Sequence, residues 1–549
     1  MGRVKKFLYF ISDKKLTIGS AAVILAITSL ISNFLGLGRE MILAGLFGVA
    51  DHEAGIYQGA FRLPDFIFNL FILGAFSSAF IPIFISKIEQ KAQKAWNYAN
   101  NILNFLLLTA LVGGIILFIF TPQLLPFIMP GYFWNEADRN TEIFQTAVNI
   151  TRILTLSPIL FTIGNLFGGI LNSFKKFIYF SLAPIVYNLS IIISASALKD
   201  IVHPVVYAPV IGVIIGAFLY SFVQLPSVLS SGFRYKPFLN FKNGDILHTL
   251  KLMFPRSLAI GVGQINLLVD TVIASFFTGG IAVIAYANNI QTLPTVVFGI
   301  SVATAVFPFL TESFARKNQK AFLSSFSWGT RRILFFIIPA TVGLIILRAQ
   351  IVRLVFGNDV FNNGKFDWVA TYWTAKTLGF FAFGLIGQAL IPILLKAYYA
   401  MYDTKTPLLI GVVVMIVNIL LSLTLPFLPA LNLGISGIAL AFSISGFLNA
   451  GLLFYFLHKK IGALDRDHKI FDSTFRLIIS SIVMGVVVHY SLYFFDFFLN
   501  TQRVVGLIAQ TFGAIGIAAA TYFLLTYLFK CEEINFLLKK FRKPANQES

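Results

Sequence analysis

The chain has 549 residues, of which 57% are hydrophobic and only 12% charged. Soluble domains carry about twice that charged fraction, so a soluble fold, or a soluble domain with a single anchor, is excluded. The net charge of +19 would point a soluble chain towards nucleic acid; here the excess sits in connections between apolar stretches, where membrane topology accounts for it.

In chain order, the first apolar run, Phe7 to Ile11, is too short for a signal-peptide core, and the next begins near Ile18 without a small-residue cleavage pattern. It reads as a retained first span. Counting stretches of roughly 20 mostly apolar residues predicts about fourteen spans, near 19–48, 56–86, 97–121, 143–172, 178–198, 205–230, 248–277, 281–313, 325–347, 369–399, 406–427, 433–458, 473–495 and 503–529. Several exceed about thirty residues, more than a bilayer needs, so tilts or kinks are expected in them. The fold class is an all-α polytopic membrane protein.

Basic residues cluster in alternate connections: Arg3, Lys5, Lys6, Lys14 and Lys15 before the first span; Lys87, Lys91 and Lys94; Lys175 and Lys176; Arg234, Lys236 and Lys242; Arg316, Lys317 and Lys320; Lys405; Lys459, Lys460 and Arg466; and Lys530, Lys539, Lys540, Arg542 and Lys543 in the tail. The intervening loops are poor in Lys and Arg; the first holds Asp51, His52 and Glu53. Positive-inside sorting then puts both termini in the cytoplasm and requires an even number of spans.

Segments recur at an offset of roughly 230 residues. Leu63-Pro64 followed by Ala79-Phe80-Ile81-Pro82 returns as Leu293-Pro294 followed by Val306-Phe307-Pro308; Pro122 to Phe133 resembles Ala349 to Phe361; Asn188 matches Asn418. Six spans separate the copies, so both insert the same way up. Two six-helix lobes with a central site are a common transporter plan. The expected organisation is a cytoplasmic segment 1–18, an N-lobe 19–230, a linker 231–247, a C-lobe 248–459, a linker 460–472, an additional span pair 473–530, and a basic tail 531–549.

Charges inside the apolar stretches carry the functional reading. Arg39 comes late in the first span with Glu40 beside it, and Arg62 comes early in the second with Asp65 three residues on. A charge at membrane depth costs ~2.5–3.5 kcal/mol on insertion scales, so such groups turn towards protein or a water-filled cavity. A cationic chamber suited to an anion is one reading for Arg39; a local ion pair that locks helices is the other. Arg62 either faces the chamber or snorkels to the outer interface. Arg256, near the start of the seventh span, is either a third cation of the chamber or a positive-inside anchor. Glu40 and Asp65 orient the arginines, since bare carboxylates would repel an anion. Asp270, deep in the seventh span, must be protonated, paired or ion-bound. Asn418 and Ser422, four apart on one face of the eleventh span, supply the oxygen ligands a hard cation takes. The alternative is an interhelical hydrogen bond for Asp270, with Asn188 and Asn418 as interhelical glue. His489, on an otherwise apolar stretch, reads as structural rather than as a proton relay. The lone Cys531 excludes an intrachain disulfide. The sequence carries no phosphate loop, nucleophile elbow or metal-ligand spacing, so direct ATP hydrolysis is not expected to drive it.

The runs Ser32-Asn33-Phe34-Leu35-Gly36-Leu37-Gly38-Arg39-Glu40, Ala60-Phe61-Arg62-Leu63-Pro64-Asp65 and Gly74-Ala75-Phe76-Ser77-Ser78-Ala79-Phe80-Ile81-Pro82 resemble the MurJ (MviN) family. So do Val269-Asp270-Thr271-Val272-Ile273-Ala274-Ser275, Ala285-Tyr286-Ala287-Asn288-Asn289 and Lys405-Thr406-Pro407. The resemblance covers the whole set of spans and implies a flippase moving lipid II, the undecaprenyl-pyrophosphate-linked peptidoglycan precursor, across the cytoplasmic (inner) membrane by alternating access. It implies a relationship to MATE exporters, a cationic cavity with a portal between the first and eighth spans, and a final span pair lining a groove for the lipid tail. It also implies a Na⁺ site at Asp270 with the eleventh and twelfth spans, no other cofactor, and cell-wall synthesis machinery as partners. Guanidinium groups suit a pyrophosphate, which they bind bidentately with charge assistance. The sequence departs from the family at Asn33, Phe68 and Asn289, where well-known members carry arginines, at Gly55, where they carry an aspartate, and at Phe442, where a threonine is expected. Either a rearranged set of charges holds the headgroup, or the substrate is another polyprenyl-linked oligosaccharide. A MATE-like exporter, a membrane glycosyltransferase or ligase, and a scaffold are the competing classes. The short external loops, in which only Glu136, Asp138, Arg139 and Glu142 cluster, argue against the enzyme.

Overall fold

A computed structural model describes residues 18–49, 52–73, 80–240, 244–357, 365–462, 464–465, 469–501 and 503–534. The basic residues before Ile18, the run Gly74–Ala79, Lys242, Arg466 and the tail cations from Lys539 on lie outside these. Among the described residues the only regular elements are helical. They are α1 (Ile18–Phe47), α2 (His52–Ala60), α3 (Arg62–Ile67), a π turn (Phe68–Leu73), α4 (Ile81–Gln90), α5 (Ala92–Ile128), two single turns, α6 (Glu142–Leu154), α7 (Leu156–Ser173), α8 (Phe177–Leu198), α9 (Tyr207–Ser230) and α10 (Gly244–Ala274). There follow α11 (Gly280–Pro294), a second π turn (Thr295–Ile300), α12 (Ser301–Ala315), α13 (Gln319–Val355), α14 (Trp368–Phe383), α15 (Leu385–Ala400), α16 (Lys405–Thr424), a 3-10 turn (Leu425–Phe427), α17 (Ser436–Ile461), α18 (Lys469–Phe498) and α19 (Val504–Leu528).

Eleven of the described helical segments are long and apolar enough to cross a membrane, or twelve if the bent pair α14–α15 is one span. The predicted second and seventh spans are not among them. Within the second, the described residues form α2, α3, a π turn and α4, with 74–79 outside them; within the seventh, α10 is one helix of 31 residues, of which Ile260–Ala274 is an apolar stretch among the described residues. Both are the stretches into which the sequence puts Arg62, Asp65, Arg256 and Asp270.

The long predicted spans are broken as expected. α6 and α7 part at Thr155, α11 and α12 at a π turn that follows Pro294, and α14 and α15 bend by 45° at Gly384. Proline lacks the N–H that would bond four residues back, and other groups take up the freed carbonyls. Ser157 Oγ donates to Leu154 O at 2.8 Å opposite Pro158, Arg152 Nε to Phe118 O at 3.0 Å opposite Pro122, and Tyr522 OH to Phe335 O at 2.6 Å opposite Pro339. α5 and α13 are both 37 residues, about 55 Å at 1.5 Å per residue, well beyond the predicted 97–121 and 325–347.

The chain divides into two compact units, residues 1–282 with 361–365, and residues 283–360 with 366–549. α10, assigned from sequence to the second lobe, packs in the first unit, against α5 and the first π turn. In that unit α8 and α9 meet through small residues. A Cβ on Gly212 would lie 2.8 Å from Ile191 Cα, and one on Gly216 would lie 3.0 Å from Tyr187 O. Ser190 Oγ and Ser194 Oγ donate across to Gly212 O and Ala208 O, the close backbone approach that membrane helices use for cohesion. The linker after α9 is held by asparagines of α5: Asn101 pairs both ways with the backbone of Asn240, and Asn100 accepts from Lys236 N and donates to Arg234 O. The core of this unit is aromatic, with Phe80 stacked between Phe84 and Tyr98.

In the second unit α13 is the central post. α18 and α19 pack on it, with α14 and α12 also against it, and α15 pairs with α17. Phe326, Phe335, Ile393, Tyr398, Leu453 and Met484 form its core.

Candidate functional site

Arg39 sits late in α1, where the helix faces α8. Its Nη2 and Nε donate to Glu40 Oε1 at 2.6 and 3.2 Å, and its Nη1 donates to Asn188 Oδ1 at 3.1 Å. The amide of Asn188 in turn donates to Pro184 O at 3.1 Å and to Ser32 O at 3.3 Å. Gln58 Nε2 donates to Glu40 Oε2 at 3.4 Å. Glu40 is 4% exposed, while a quarter of the Arg39 side chain stays open. The carboxylate is thus consumed in holding the arginine, whose side chain stays partly accessible. Neutralising the buried carboxylate in place avoids the cost of an unpaired charge, about 3–5 kcal/mol. Sequence reasoning linked Glu40 to Arg39 but placed Asn188 only as interhelical glue; its contact spans 149 positions and has no local signal.

Arg62 starts α3, just after the helix break at Phe61. Its Nε donates to Thr271 Oγ1 at 2.9 Å, and Thr271 Oγ1 donates to Leu267 O at 2.8 Å. Asp65 and Asp270 are the two carboxylates whose charges act on this guanidinium. No ion pair joins Arg62 to Asp65 among the described residues, so Thr271, rather than Asp65, fixes the arginine by direct contact. Asp65 and Asp270 are both half-buried. Arg256 belongs to α10, but its side chain lies outside the described residues. The structure therefore gathers Arg39 with Glu40 and Asn188, and Arg62 with Thr271, within the first unit.

Asn418 and Ser422 are both buried on α16 of the second unit, 3% and 0% exposed. Ser443, beside Phe442, donates its Oγ to Phe380 O at 2.6 Å and packs on Gly384 at the α14–α15 bend. Among the described residues no cluster of three or more metal-ligating side chains forms. His489 makes edge contacts with Tyr490 and Tyr493. Two cavities, about 440 and 710 Å³, lie in the second unit and involve neither Arg39 nor Arg62.

The departures from the expected family pattern have local reasons. A Cβ on Gly55 would lie 2.4 Å from the Tyr132 hydroxyl, so Tyr132 fills the space an aspartate would need. Phe68 tilts against Phe161 with centroids 5.6 Å apart, which makes that position apolar.

The family model for the lipid II flippase MurJ matches residues 43–522. The chain belongs to the MurJ family. Relatives in this family include the probable lipid II flippase MurJ of Haemophilus influenzae, 30% identical over 84% of this chain and 90% of its own length. Another is the protein of that description from Rickettsia prowazekii, 30% identical over 94% of this chain and 98% of the relative. A solved structure of a lipid II flippase MurJ in an inward closed conformation superposes with a TM-score of 0.75 at 27% identity, covering 92% of this chain and 98% of that one. An inward-facing multidrug resistance MATE transporter shares the fold at a TM-score of 0.63 and 15% identity, over 81% of this chain and 99% of that one.

Proposed function

We propose that this chain is the flippase that carries lipid II, the lipid-linked peptidoglycan precursor, across the cytoplasmic membrane. It is a multi-pass transporter and not an enzyme. The observation that carries this is the family match over residues 43–522. The physical need is plain: a pyrophosphate head cannot cross ~30 Å of hydrocarbon unaided. The fold shared with MATE transporters supports alternating access.

The finer parts of the proposal rest on the residues. Arg39, a quarter of whose side chain is open, and Arg62 bind the pyrophosphate, joined by Arg256. Glu40 positions Arg39, while Asp65 and Asp270 balance Arg62. A monovalent cation, Na⁺ in the first instance, is the proposed coupling ion, with Asp270 of the first unit and Asn418 and Ser422 of the second as its candidate oxygen donors. The repeat of lobes 19–230 and 248–459, the tail-lining pair 473–530, fourteen spans and cytoplasmic termini complete the reading; loop charge supports the last two. Cell-wall synthesis enzymes are the expected partners.

The test is complementation of a strain depleted of its own lipid II flippase. Rescue by the wild type and failure of a well-inserted Arg39→Ala variant support the proposal. A well-inserted wild type that fails to rescue, in a host shown to accept other foreign members of the family, sinks it in favour of another polyprenyl-linked oligosaccharide.

A further inference from the structure

We propose that the second unit carries a separate binding site for an anionic phospholipid, at the ends of α13 and α14 that the loop charges place on the outer side. The phosphate would sit in a polar chamber and one acyl chain in an apolar chamber beside it. This site does not depend on which lipid the protein transports.

The polar chamber, about 440 Å³, is lined by Arg348, Gln350, Arg353, His489, Asp496 and Gln510, among others. Positive-inside sorting does not account for Arg348 and Arg353, which lie at the outer end of α13. Arg348 Nη1 donates to Ile345 O of its own helix. Arg353 Nη2 donates to Thr501 O at 3.4 Å, and its guanidinium lies 5.6 Å from the Trp368 ring centroid. Among the described residues neither arginine is ion-paired. Asp496, the carboxylate of the lining, already accepts from Thr501 Oγ1 at 2.5 Å. Gln350 Oε1 is buried without a hydrogen-bond partner. Two forked cations in a lining whose one carboxylate is already engaged match a phosphate. The volume suits a small head such as phosphoglycerol.

The second chamber, about 710 Å³, shares Arg348, Ala349 and Trp368 with the first and continues along Tyr372, Ala375, Phe380, Phe383 and Leu440. A Cβ on Gly379 would lie 3.1 Å from Arg348 Cδ, so this glycine lets the arginine stem lie across the junction. Lys376, also in the lining, donates to Asn432 O. From Trp368 to Phe383 the helix runs about 22 Å at 1.5 Å per residue, deeper than half of the ~30 Å hydrocarbon core. Trp368 and Tyr372 are 67% and 54% exposed at the charged end, the arrangement of an aromatic belt at the headgroup level. A cationic head chamber opening at that belt into a deep apolar slot has the plan of a lipid site.

The test is native mass spectrometry of the purified full chain titrated with long-chain phosphatidylglycerol. The comparison covers wild type, the double variant R348Q/R353Q, and R316Q, which removes an exposed arginine elsewhere. The expected result is at least tenfold weaker binding for the double variant, no change for R316Q, and weaker binding of phosphatidylcholine and short-chain phosphatidylglycerol to wild type. Equal affinity in the double variant, or no preference for phosphatidylglycerol over phosphatidylcholine, overturns the proposal. So does full displacement by inorganic phosphate, which would mean a free-anion site, or by polyprenyl pyrophosphate alone, which would make this a station for the transported lipid. If the double variant does not fold, Gly379→Leu, which fills the slot, is expected to give the same tenfold loss, and unchanged affinity there is equally fatal.

Discussion

Arg39 and Glu40 act as one unit, which shapes how Arg39 can be tested. Glu40 is buried and bonded to the guanidinium, so Arg39→Ala strands a carboxylate, at a cost of about 3–5 kcal/mol. The double variant R39Q/E40Q removes both charges and should melt close to wild type in detergent while still failing complementation. If the double variant rescues growth, Arg39 is a helix lock and does not bind the substrate. Asp403 illustrates a charge with a purely architectural task. Burial opposes its ionisation, but Lys460 Nζ at 2.8 Å and the N–H and hydroxyl of Thr406 outweigh that and hold its pKa at about 2. Because the folded value is depressed, the stabilisation is complete above the unfolded value near 4 and is lost as pH falls through about 2. With Lys460 half-exposed the pair is worth on the order of 1–2 kcal/mol. Asp403→Asn should therefore lower the melting temperature at pH 7, by an amount that shrinks as pH falls below about 4 and vanishes only below about 2. This also explains why Lys405-Thr406-Pro407 opens a helix: Asp403 caps the backbone N–H groups of Lys405 and Thr406.

Element by element, the helices meet where prolines and glycines allow. Tyr522 of α19 satisfies Phe335 O, the carbonyl that Pro339 frees in α13. Removing the hydroxyl in Tyr522→Phe leaves that buried carbonyl unpaired, at about 1–3 kcal/mol. Pro339→Ala restores an N–H to the same carbonyl, so P339A/Y522F should recover part of the loss, and thermal melts of the four-member cycle measure the coupling. Additive losses would mean that Tyr522 acts through packing alone. The α8–α9 contact is predicted to be as intolerant: Gly212→Leu places a side chain against Ile191 Cα and Ser190 O, and should abolish stable insertion, read as loss of the monodisperse peak on size exclusion.

For the whole molecule, loop charge predicts that the α4–α5 connection is cytoplasmic and the turns before α6 are external. The native Cys531 is buried, and burial pushes its thiol up to about 11, so at neutral pH it should stay unlabelled and give a quiet background. A cysteine at Lys91 should then resist an impermeant maleimide added to intact cells, and one at Glu136 should react. The reverse pattern would invert the topology and move the proposed phospholipid site to the inner leaflet. The same orientation is what lets a head taken up on one side be released on the other.

Membrane class, the placing of apolar stretches and family membership could all be read in the chain, because each depends on local composition or on short ordered motifs such as Ser32 to Glu40. That the over-long spans tilt or kink was legible too, since their length exceeds the bilayer, but the places of the breaks, near Thr155, after Pro294 and at Gly384, came from the structure. What the tertiary structure decided is who faces whom. It gave Thr271, and not Asp65, to Arg62, and it placed Asn188 on Arg39 across 149 positions. It filled the space beside Gly55 with Tyr132, packed α10 into the first unit, and gathered Arg348 and Arg353 around a cavity. Hydropathy measures each residue against lipid and is blind to partners; a buried charge or amide in a membrane takes its role from the one group, far away in sequence, that meets its hydrogen-bonding demand.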